Sequence, residues 1–308
     1  MNKKRAIKGG ILLLLILILT AYHLVFGYTK PIELTPQITV LQRTSILSQI
    51  GANVVVYASN SASMVIDTQL KPLASSTLAK INALTDQPLT AVVITHWHPD
   101  HSGGISVFSE TAEVIAHENV AAVLAKPQRG FGLSKPGSIH EFETRTTDSL
   151  PTRSFKDKLI LKLGSDEISL VHFPKAHTNG DAVVYFKTDK VVAIGDLVWP
   201  GSFPFVDVHN GGTAAGLEAA LQTLIASTNL KYQFVPGHGN TLNYQEIEQY
   251  LNMVRSTRQW VTGLQDQGQS LEQIMAAGLP PQYSQWSSAL VPTHQWIKMI
   301  YRSRGLSN

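Results

Sequence analysis

The stretch Thr95–Gly104 reads THWHPDHSGG and directly follows the run Leu89–Ile94, LTAVVI. A short, mostly apolar run that ends at polar and turn-forming residues predicts a fully buried strand. In an extended chain the side chains of residues i and i+2 point to the same side. His96 and His98 can therefore bring both imidazoles to one metal ion at the end of this strand.

The same stretch offers ligands for a second metal ion. Pro99 ends the strand, and Asp100 and His101 can then turn toward an ion close to the first. Neutral imidazole and carboxylate suit Zn²⁺, and also Fe or Mn. Histidines placed by chance at a solvated strand end are the alternative, but four ligand-type residues within six positions favour a metal site.

Three further ligand candidates lie where a predicted strand gives way to a glycine-containing turn. They are His177 after 168–173, Asp196 after 191–194 and His238 after 233–236. Loops that leave strands at one edge of a sandwich can converge on one site. The candidates then divide between two ions: His96, His98 and His177 for the first, Asp100, His101 and His238 for the second, and Asp196 able to bridge both. Two ions held in this way can stabilise both sides of a displacement.

The order His-Xaa-His-Xaa-Asp-His, then His, Gly-Asp and Pro-Gly-His-Gly resembles the metallo-β-lactamase superfamily over residues 38–240. The resemblance implies an α/β fold, the four-layer αββα sandwich, with a di-metal site at one edge and a metal-bound hydroxide as nucleophile. Asp196 is similar to the bridging aspartate of glyoxalase II, lactonases and phosphodiesterases. One large group of β-lactamases has a cysteine there, and this chain contains none. The loop after Asp196 is similar to that of some exported hydrolases of the superfamily.

The N-terminus predicts a membrane segment. Residues 9–27 form an apolar run long enough to span a bilayer, and residues 1–8 form a basic tail. The positive charges favour a cytoplasmic tail and an extracytoplasmic body, periplasmic or on the cell surface. A cleaved signal peptide, with Val25 and Gly27 before the cut, is the alternative to an uncleaved signal anchor.

Composition bounds the rest of the chain. Of 308 residues, 44% are hydrophobic and 15% are charged, which favours a folded domain with a sizeable core. We expect a linker over 28–37 and a catalytic domain over 38–308 that becomes helical from about residue 241. Outside the basic tail the chain has 21 basic and 22 acidic residues, so nothing indicates nucleic acid as a partner.

Two segments are predicted to form the walls of a substrate pocket. One is the stretch 127–157, expected to be a long mobile loop, and the other is 197–212, with Trp199, Phe203 and Phe205. The second segment has an equally good alternative, which is packing on the C-terminal helices. His209 and Asn210 are candidate donors to an oxyanion. Asp181 either orients a ligand such as His177 or closes a turn.

The predicted function is that of an extracytoplasmic di-zinc hydrolase that binds two Zn²⁺ per chain. A metal-bridging hydroxide, held by the catalytic Asp100, attacks a thioester, ester, lactone or β-lactam. The expected substrate is a small molecule with an apolar portion. The alternatives are a mononuclear iron enzyme similar to persulfide dioxygenases, a phosphodiesterase and a non-enzymatic metal-binding module.

Overall fold

The computed structural model describes residues 28–44, 51–126, 128–129, 141–142 and 146–306. The strands of these residues are β1 (Tyr28–Glu33), β2 (Ile38–Thr44), β3 (Val54–Ala58), β4 (Ser63–Ile66), β5 (Leu89–Ile94), β6 (Glu113–His117), β7 (Gln128–Arg129), β8 (Glu141–Phe142), β9 (Arg153–Phe155), β10 (Lys158–Leu163), β11 (Asp166–Phe173), β12 (Asp181–Phe186), β13 (Val191–Gly195), β14 (Gln233–Pro236) and β15 (Leu242–Asn243).

The α-helices of the same residues lie mainly between and after these strands. They are α1 (Ala74–Leu84), α2 (Pro99–Ser102), α3 (Ile105–Phe108), α4 (Glu118–Leu124), α5 (Ala214–Ala226), α6 (Tyr244–Asp266), α7 (Leu271–Ala277) and α8 (Thr293–Ser303). Short 3₁₀ helices are Lys71–Leu73, Thr147–Ser149, Val208–Asn210, Pro281–Trp286 and Arg304–Leu306.

The strands form two large mixed sheets and a small two-stranded one. The first sheet has the order β1-β2-β3-β4-β5-β6-β9, antiparallel as far as β4 and parallel from β4 to β9. The second has the order β10-β11-β12-β13-β14-β15, in which only β13 and β14 are parallel. Strands β7 and β8 pair with each other.

Three hydrophobic layers hold the sheets and helices together. Side chains from both sheets, such as Val93 and Leu170, form the layer between the sheets. Ile81 and Phe108 belong to the layer that packs helices on the first sheet. Trp296 belongs to the layer that packs the C-terminal helices on the second sheet. The predicted four-layer αββα sandwich with extra C-terminal helices is therefore confirmed.

Residue alternation explains why the central strands are apolar throughout. In β5, Ala91 and Val93 face the other sheet, whereas Val92 and Ile94 face the helices. Successive side chains of a strand point to opposite faces, so a strand covered on both sides needs apolar residues at every position. The same applies to β13, residues 191–195, which is buried along its whole length.

The site-bearing loops leave the two sheets at one edge. Strands β13 and β14 are parallel, so Asp196 and His238, which follow them, lie at the same end of the second sheet. The backbone N–H of Ala182 in that sheet donates to the carbonyl oxygen of Thr95 at 2.8 Å, just after β5 of the first sheet. This hydrogen bond joins the two sheets beside His96.

Two segments differ from the sequence prediction. Residues 28–33, expected in a linker, form β1 at the edge of the first sheet, where Pro31 is tolerated because an edge strand needs fewer backbone donors. Residues 153–155, expected in the long loop, form edge strand β9 beside β6. About half of the predicted loop, including 130–140, lies outside the described residues.

The prediction of a membrane-anchored, extracytoplasmic protein is contradicted by the helices of the structure. Across the ranges given above, no helix combines the length and the apolar character needed to cross a bilayer. Helix α6 has 23 residues but carries charged side chains such as Glu246 and Arg255. The apolar run 9–27, which motivated the prediction, lies outside the described residues.

Truncating Leu170 to alanine should lower the free energy of unfolding by about 2–5 kcal/mol, because it leaves a cavity between the two sheets. Leu170 is fully buried, whereas Leu230 is 67% exposed. The matched control Leu230→Ala should change stability by less than about 0.5 kcal/mol. Urea denaturation followed by circular dichroism measures both, and equal losses would contradict the placement of Leu170 in the core.

Candidate metal centre

The structure brings all seven predicted site residues together at the edge of the sandwich. The first group consists of His96, His98 and His177. His98 Nδ1 lies 3.0 Å from His96 Nε2 and 3.0 Å from His177 Nε2. All three residues are buried, at 7% exposure or less. Three imidazole nitrogens therefore surround one point with almost no access to water.

The second group consists of Asp100, His101 and His238. Asp100 Oδ2 lies 3.3 Å from His238 Nε2 and 3.8 Å from His101 Nε2. The Asp100 side chain is 21% exposed, whereas the two histidines are buried. Asp100 is therefore the member of this group that meets the solvent.

The carboxylate of Asp196 lies between the two groups. Its Oδ2 is 3.8 Å from His96 Nε2 and 3.9 Å from His177 Nε2, both in the first group. The same oxygen is 3.4 Å from His238 Nε2, and Oδ1 is 3.3 Å from His101 Nε2, both in the second group. The carboxylate of Asp196, which follows β13, thus lies within 4 Å of ring nitrogens in both groups.

In the first group, the hydrogen bonds of His98 and His177 leave their unprotonated ring nitrogens facing each other. Carboxylates and carbonyls only accept hydrogen bonds. His98 Nε2 lies 3.1 Å from Asp207 Oδ2, and His177 Nδ1 lies 2.7 Å from the Phe205 carbonyl oxygen, so both nitrogens carry hydrogen. In neutral rings, His98 Nδ1 and His177 Nε2 are then two lone pairs 3.0 Å apart. A cation between them removes the repulsion, and such nitrogens are common zinc ligands.

In the second group, buried polar atoms without hydrogen-bond partners also indicate a bound cation. His101 Nε2 and Asp196 Oδ1 are buried, and the 3.3 Å contact between them lacks the geometry of a hydrogen bond, so neither atom has a hydrogen-bond partner among the described residues. An unsatisfied buried polar group costs about 1–3 kcal/mol. Nitrogen and carboxylate donors left open in this way fit a divalent metal ion.

Carboxylates surround His101. Its Nδ1 lies 2.7 Å from Asp67 Oδ2, and Asp67 is held in a left-handed conformation with φ of 67°. Burial opposes protonation, but the carboxylates of Asp196, Asp67 and Asp100 raise the pKa of His101 well above its ordinary value. The surplus of negative charge around this imidazole is one that bound cations would neutralise.

The other pKa shifts differ between the first and the second group of residues. Burial, together with neighbouring histidines, lowers the pKa of His96 well below its ordinary value and that of His177 to about 4. In the second group, carboxylates overcome burial and raise the pKa of His238 to about 9. Histidines overcome burial and lower the pKa of Asp100 to about 2. His96 and His177 are therefore neutral rings, whereas Asp100 and His238 carry paired charges.

A sequence model of the metallo-beta-lactamase superfamily matches residues 48–238, which is more than half of the chain. The chain belongs to the metallo-beta-lactamase superfamily. It is 27% identical over 220 residues to the acyl-coenzyme A thioesterase MBLAC2 of Bos taurus, a match that spans 64% of this chain and 76% of the relative. Superfamily membership and this relative make the chain a metal-dependent hydrolase, as predicted.

Solved structures show the same fold. A metallo-beta-lactamase from Pontibacter korlensis matches with a TM-score of 0.58 and 19% identity, over 74% of this chain and 99% of that chain. The sec-alkylsulfatase Pisa1 from Pseudomonas sp. matches with a TM-score of 0.67 and 16% identity, over 92% of this chain. This chain spans about half of that alkylsulfatase, 52%. In this fold, the clustered histidine and aspartate side chains imply a divalent metal ion.

Asp207 is a residue of this superfamily site that sequence reasoning missed. Its Oδ2 accepts hydrogen bonds from His98 Nε2 at 3.1 Å and from Asn210 Nδ2 at 2.8 Å. Its backbone N–H donates to the His177 carbonyl oxygen at 2.8 Å. Residues 205–207 therefore hold His98 and His177 through the sides of these two histidines that face away from the metal centre. The one available signal was an acidic residue in the loop after Asp196.

The loop 197–212 packs on the C-terminal helices and also borders the metal centre. Phe203 is fully buried and stacks on Trp296 of helix α8, which is packing. Phe205 is half-buried, and its ring centroid is 6.0 Å from that of His98. Trp199 stacks on His238 with centroids 4.4 Å apart. Two of the three aromatic residues thus border the metal centre.

The remaining polar candidates have structural contacts. Asn210, a candidate oxyanion donor, uses its amide to hold Asp207. Asp181 accepts hydrogen bonds from the backbone N–H and the hydroxyl of Thr178, at 2.8 and 2.7 Å, and so closes the turn before β12. Burial raises the pKa of Asp181 to about 8, against these hydrogen bonds.

The turn that carries His238 is fixed by a close approach of backbone. Asn53 Nδ2 donates to the carbonyl oxygens of Pro236 and Gly239, each at 2.9 Å. A Cβ atom on Gly237 would lie 2.6 Å from Cε1 of His101 and would overlap Asp196 Oδ1. Glycine is therefore required at position 237 for this turn to reach the site.

Gly237→Ala should lower the affinity for metal by about 100-fold or more, because the added methyl group displaces two site residues. Competition with a chromophoric chelator measures the affinity. The matched control is Gly263→Ala in helix α6, where a Cβ meets nothing within 4 Å. The control should bind metal as the wild type does. Unchanged affinity in Gly237→Ala would contradict the close approach.

Asp207→Ala should weaken binding of one metal ion by about 10–100-fold, because His98 loses the partner that orients it. Asp207→Asn keeps an acceptor oxygen and should lose less. Titration with Co²⁺, followed by its visible absorption, reports both affinity and ligand geometry. Asp86→Ala, at an exposed position, is the control. If Asp207→Ala gives the wild-type spectrum and affinity, Asp207 does not position His98.

Proposed function

We propose that this superfamily hydrolase is a di-zinc enzyme that cleaves thioesters of acyl groups. The observation that carries the proposal is the convergence of seven histidine and aspartate side chains into two adjacent groups that share Asp196. The name of the bovine relative, an acyl-coenzyme A thioesterase, supports thioesters as the substrate class. Esters, lactones and β-lactams would meet the same chemistry and rank after thioesters.

Two ions are proposed because the site offers two sets of donors. His96, His98 and His177 would hold one ion, Asp100, His101 and His238 the other, and Asp196 would contact both. The donors are nitrogen and oxygen only, since the chain has no cysteine. Such sets suit zinc, with Fe and Mn as the other metals to test. When bound, two ions supply Lewis acidity and lower the pKa of water to about 7.

Asp100 is the residue that we propose to move the proton. It is the solvent-facing carboxylate of the second group, and its Oδ2 already contacts His238. A free carboxylate oxygen of Asp100 can accept the proton of the attacking water as the oxygen–carbon bond forms. As the carbon–sulfur bond breaks, the same oxygen can return the proton to the thiolate. Asp67 and Asp207 keep His101 and His98 in the orientations described above.

The aromatic border of the site supports an acyl group with an apolar portion. The ring centroids of Phe205 and His177 are 5.8 Å apart, and Phe205 is half-buried. Aromatic surface contributes affinity for apolar groups without requiring polar partners. A near balance of 21 basic and 22 acidic residues outside the N-terminal tail gives no support for nucleic acid as a partner.

The test combines elemental analysis with a hydrolysis panel of thioesters, esters, lactones, β-lactams and phosphodiesters. Wild-type protein loaded with zinc should contain two Zn per chain and hydrolyse an acyl thioester fastest. Asp196→Ala should lose metal from both groups, because Asp196 contacts both, and its kcat/KM should fall by about 100-fold or more.

The control variant Asp86→Ala should keep both the metal content and the activity. One Fe per chain would instead favour a mononuclear iron enzyme of the dioxygenase kind. Phosphodiester cleavage much faster than any acyl hydrolysis would refute the carbonyl substrate while leaving the two-metal site. A wild-type protein that binds no transition metal under any loading condition would refute the proposal as a whole.

A further inference from the structure

A cavity of about 140 Å³ lies between the loop after Asp196 and helix α8. Loop residues 205–209 form one wall, and Gln295, Lys298 and Arg302 belong to the other. Positions 295, 298 and 302 are three and four residues apart, so their side chains share one face of the helix. One wall of the cavity is therefore lined with hydrogen-bond donors, two of them cationic.

The two cations of this wall have no acidic partner among the residues that the structure describes. Within the described residues, neither Lys298 nor Arg302 forms an ion pair at 4 Å or less or a hydrogen bond through its side chain. Elsewhere on the C-terminal helices, by contrast, Arg255 and Arg258 both pair with Glu218, at 3.1 and 2.6 Å. Like charges four positions apart repel on a helix. An anion from outside the chain would balance them.

The loop wall of the cavity adds one negative charge, the carboxylate of Asp207, which already accepts hydrogen bonds from within the chain. The Oδ2 atom of Asp207 accepts from His98 and Asn210, and its Oδ1 accepts from the Asn210 backbone N–H at 3.2 Å. With the carboxylate held in this way, Lys298 and Arg302 leave the cavity with a net positive charge. His209 and Gln295 offer further neutral donors at its rim.

Phe205 and Asp207 border both the cavity and the metal centre. Phe205 lines the cavity, and its ring centroid is 6.0 Å from that of His98 and 5.8 Å from that of His177. Asp207 also belongs to both places, since it lines the cavity and holds His98. A substrate that reaches across Phe205 can therefore occupy both sites at once.

We propose that this cavity binds a phosphate group on the thiol portion of the substrate, with Lys298 and Arg302 as its cationic ligands. The inference rests on the proposed thioesterase function, because it assigns the phosphate to the thiol that leaves. Arginine presents a fork of N–H groups and lysine a compact charge, and both bind phosphate oxygens. The chemical class is a thioester whose thiol carries a phosphorylated nucleotide, as in an acyl-coenzyme A.

The experiment compares two thioesters with the same acyl group, an acyl-coenzyme A and the matching acyl-pantetheine, which has no phosphate. The double variant Lys298→Ala/Arg302→Ala should raise KM for the acyl-coenzyme A by about tenfold and leave kcat unchanged. KM for the acyl-pantetheine and the zinc content should not change. In the wild type, added KCl should raise KM for the phosphorylated thioester only, because ions screen exposed charges.

The control variant Lys158→Ala/Lys187→Ala removes two exposed positive charges, one on strand β10 and one in the turn after β12, away from the cavity lining. It should leave both KM values at the wild-type level. A KM for the acyl-coenzyme A that is unchanged in the cavity variant would overturn the proposal. Equal increases in KM for both thioesters would also overturn it, since they would not depend on phosphate. Thioesterase activity itself would stand in either case.

If neither thioester is hydrolysed, the proposed function fails and the cavity is tested by binding alone. Titration calorimetry of the zinc-loaded protein with coenzyme A then provides the readout. About tenfold weaker binding to Lys298→Ala/Arg302→Ala than to the wild type would support the phosphate site. Equal binding by the two proteins, or no binding by the wild type, would refute it.

Discussion

Lone pairs of buried imidazoles and carboxylates face one another at the edge of this sandwich. His98 Nδ1 and His177 Nε2 are 3.0 Å apart, and Asp196 lies against nitrogens of both groups. The two imidazole lone pairs repel each other unless a cation occupies the space between them. The rest of the structure is organised to maintain this arrangement. Apolar strands buried on both faces supply a rigid base, and the site residues stand in the short loops that follow.

Contacts behind the ligand groups decide how each imidazole is presented. Asp67 and Asp207 accept from His101 Nδ1 and His98 Nε2, so the opposite ring nitrogens face the site. A backbone carbonyl oxygen has the same role for His177, because the Phe205 carbonyl accepts a hydrogen bond from His177 Nδ1. These partners fix ring orientation and tautomer, which the ligand residues cannot fix for themselves. Metal affinity therefore depends on residues far away in sequence.

Site residues that follow a local spacing pattern could be predicted from the sequence, whereas those that depend on long-range contacts could not. His96 and His98 follow an apolar strand at alternating positions, so periodicity alone places them together. The convergence of strand-end loops then predicted His177, Asp196 and His238. Asp207 could not be found in this way, because its contact with His98 spans 109 positions and follows no motif. Strand β1 was missed because its pairing with β2 depends on the finished sheet. The prediction of a membrane anchor was based on residues 9–27, which lie outside the described residues.

Net charge is a poor guide to what the site can bind. Outside its N-terminal tail the chain is almost neutral, which argues against a partner that is anionic along its length, such as a nucleic acid. A small anionic group responds to the few charges within a Debye length of it, about 8–10 Å. The charged residues that line the cavity beside Phe205 are Lys298, Arg302 and Asp207, and the carboxylate of Asp207 already accepts hydrogen bonds. Under the proposal, a chain without a basic surface can therefore still select a phosphorylated substrate, because Lys298 and Arg302 line a cavity that shares Phe205 with the border of the metal centre.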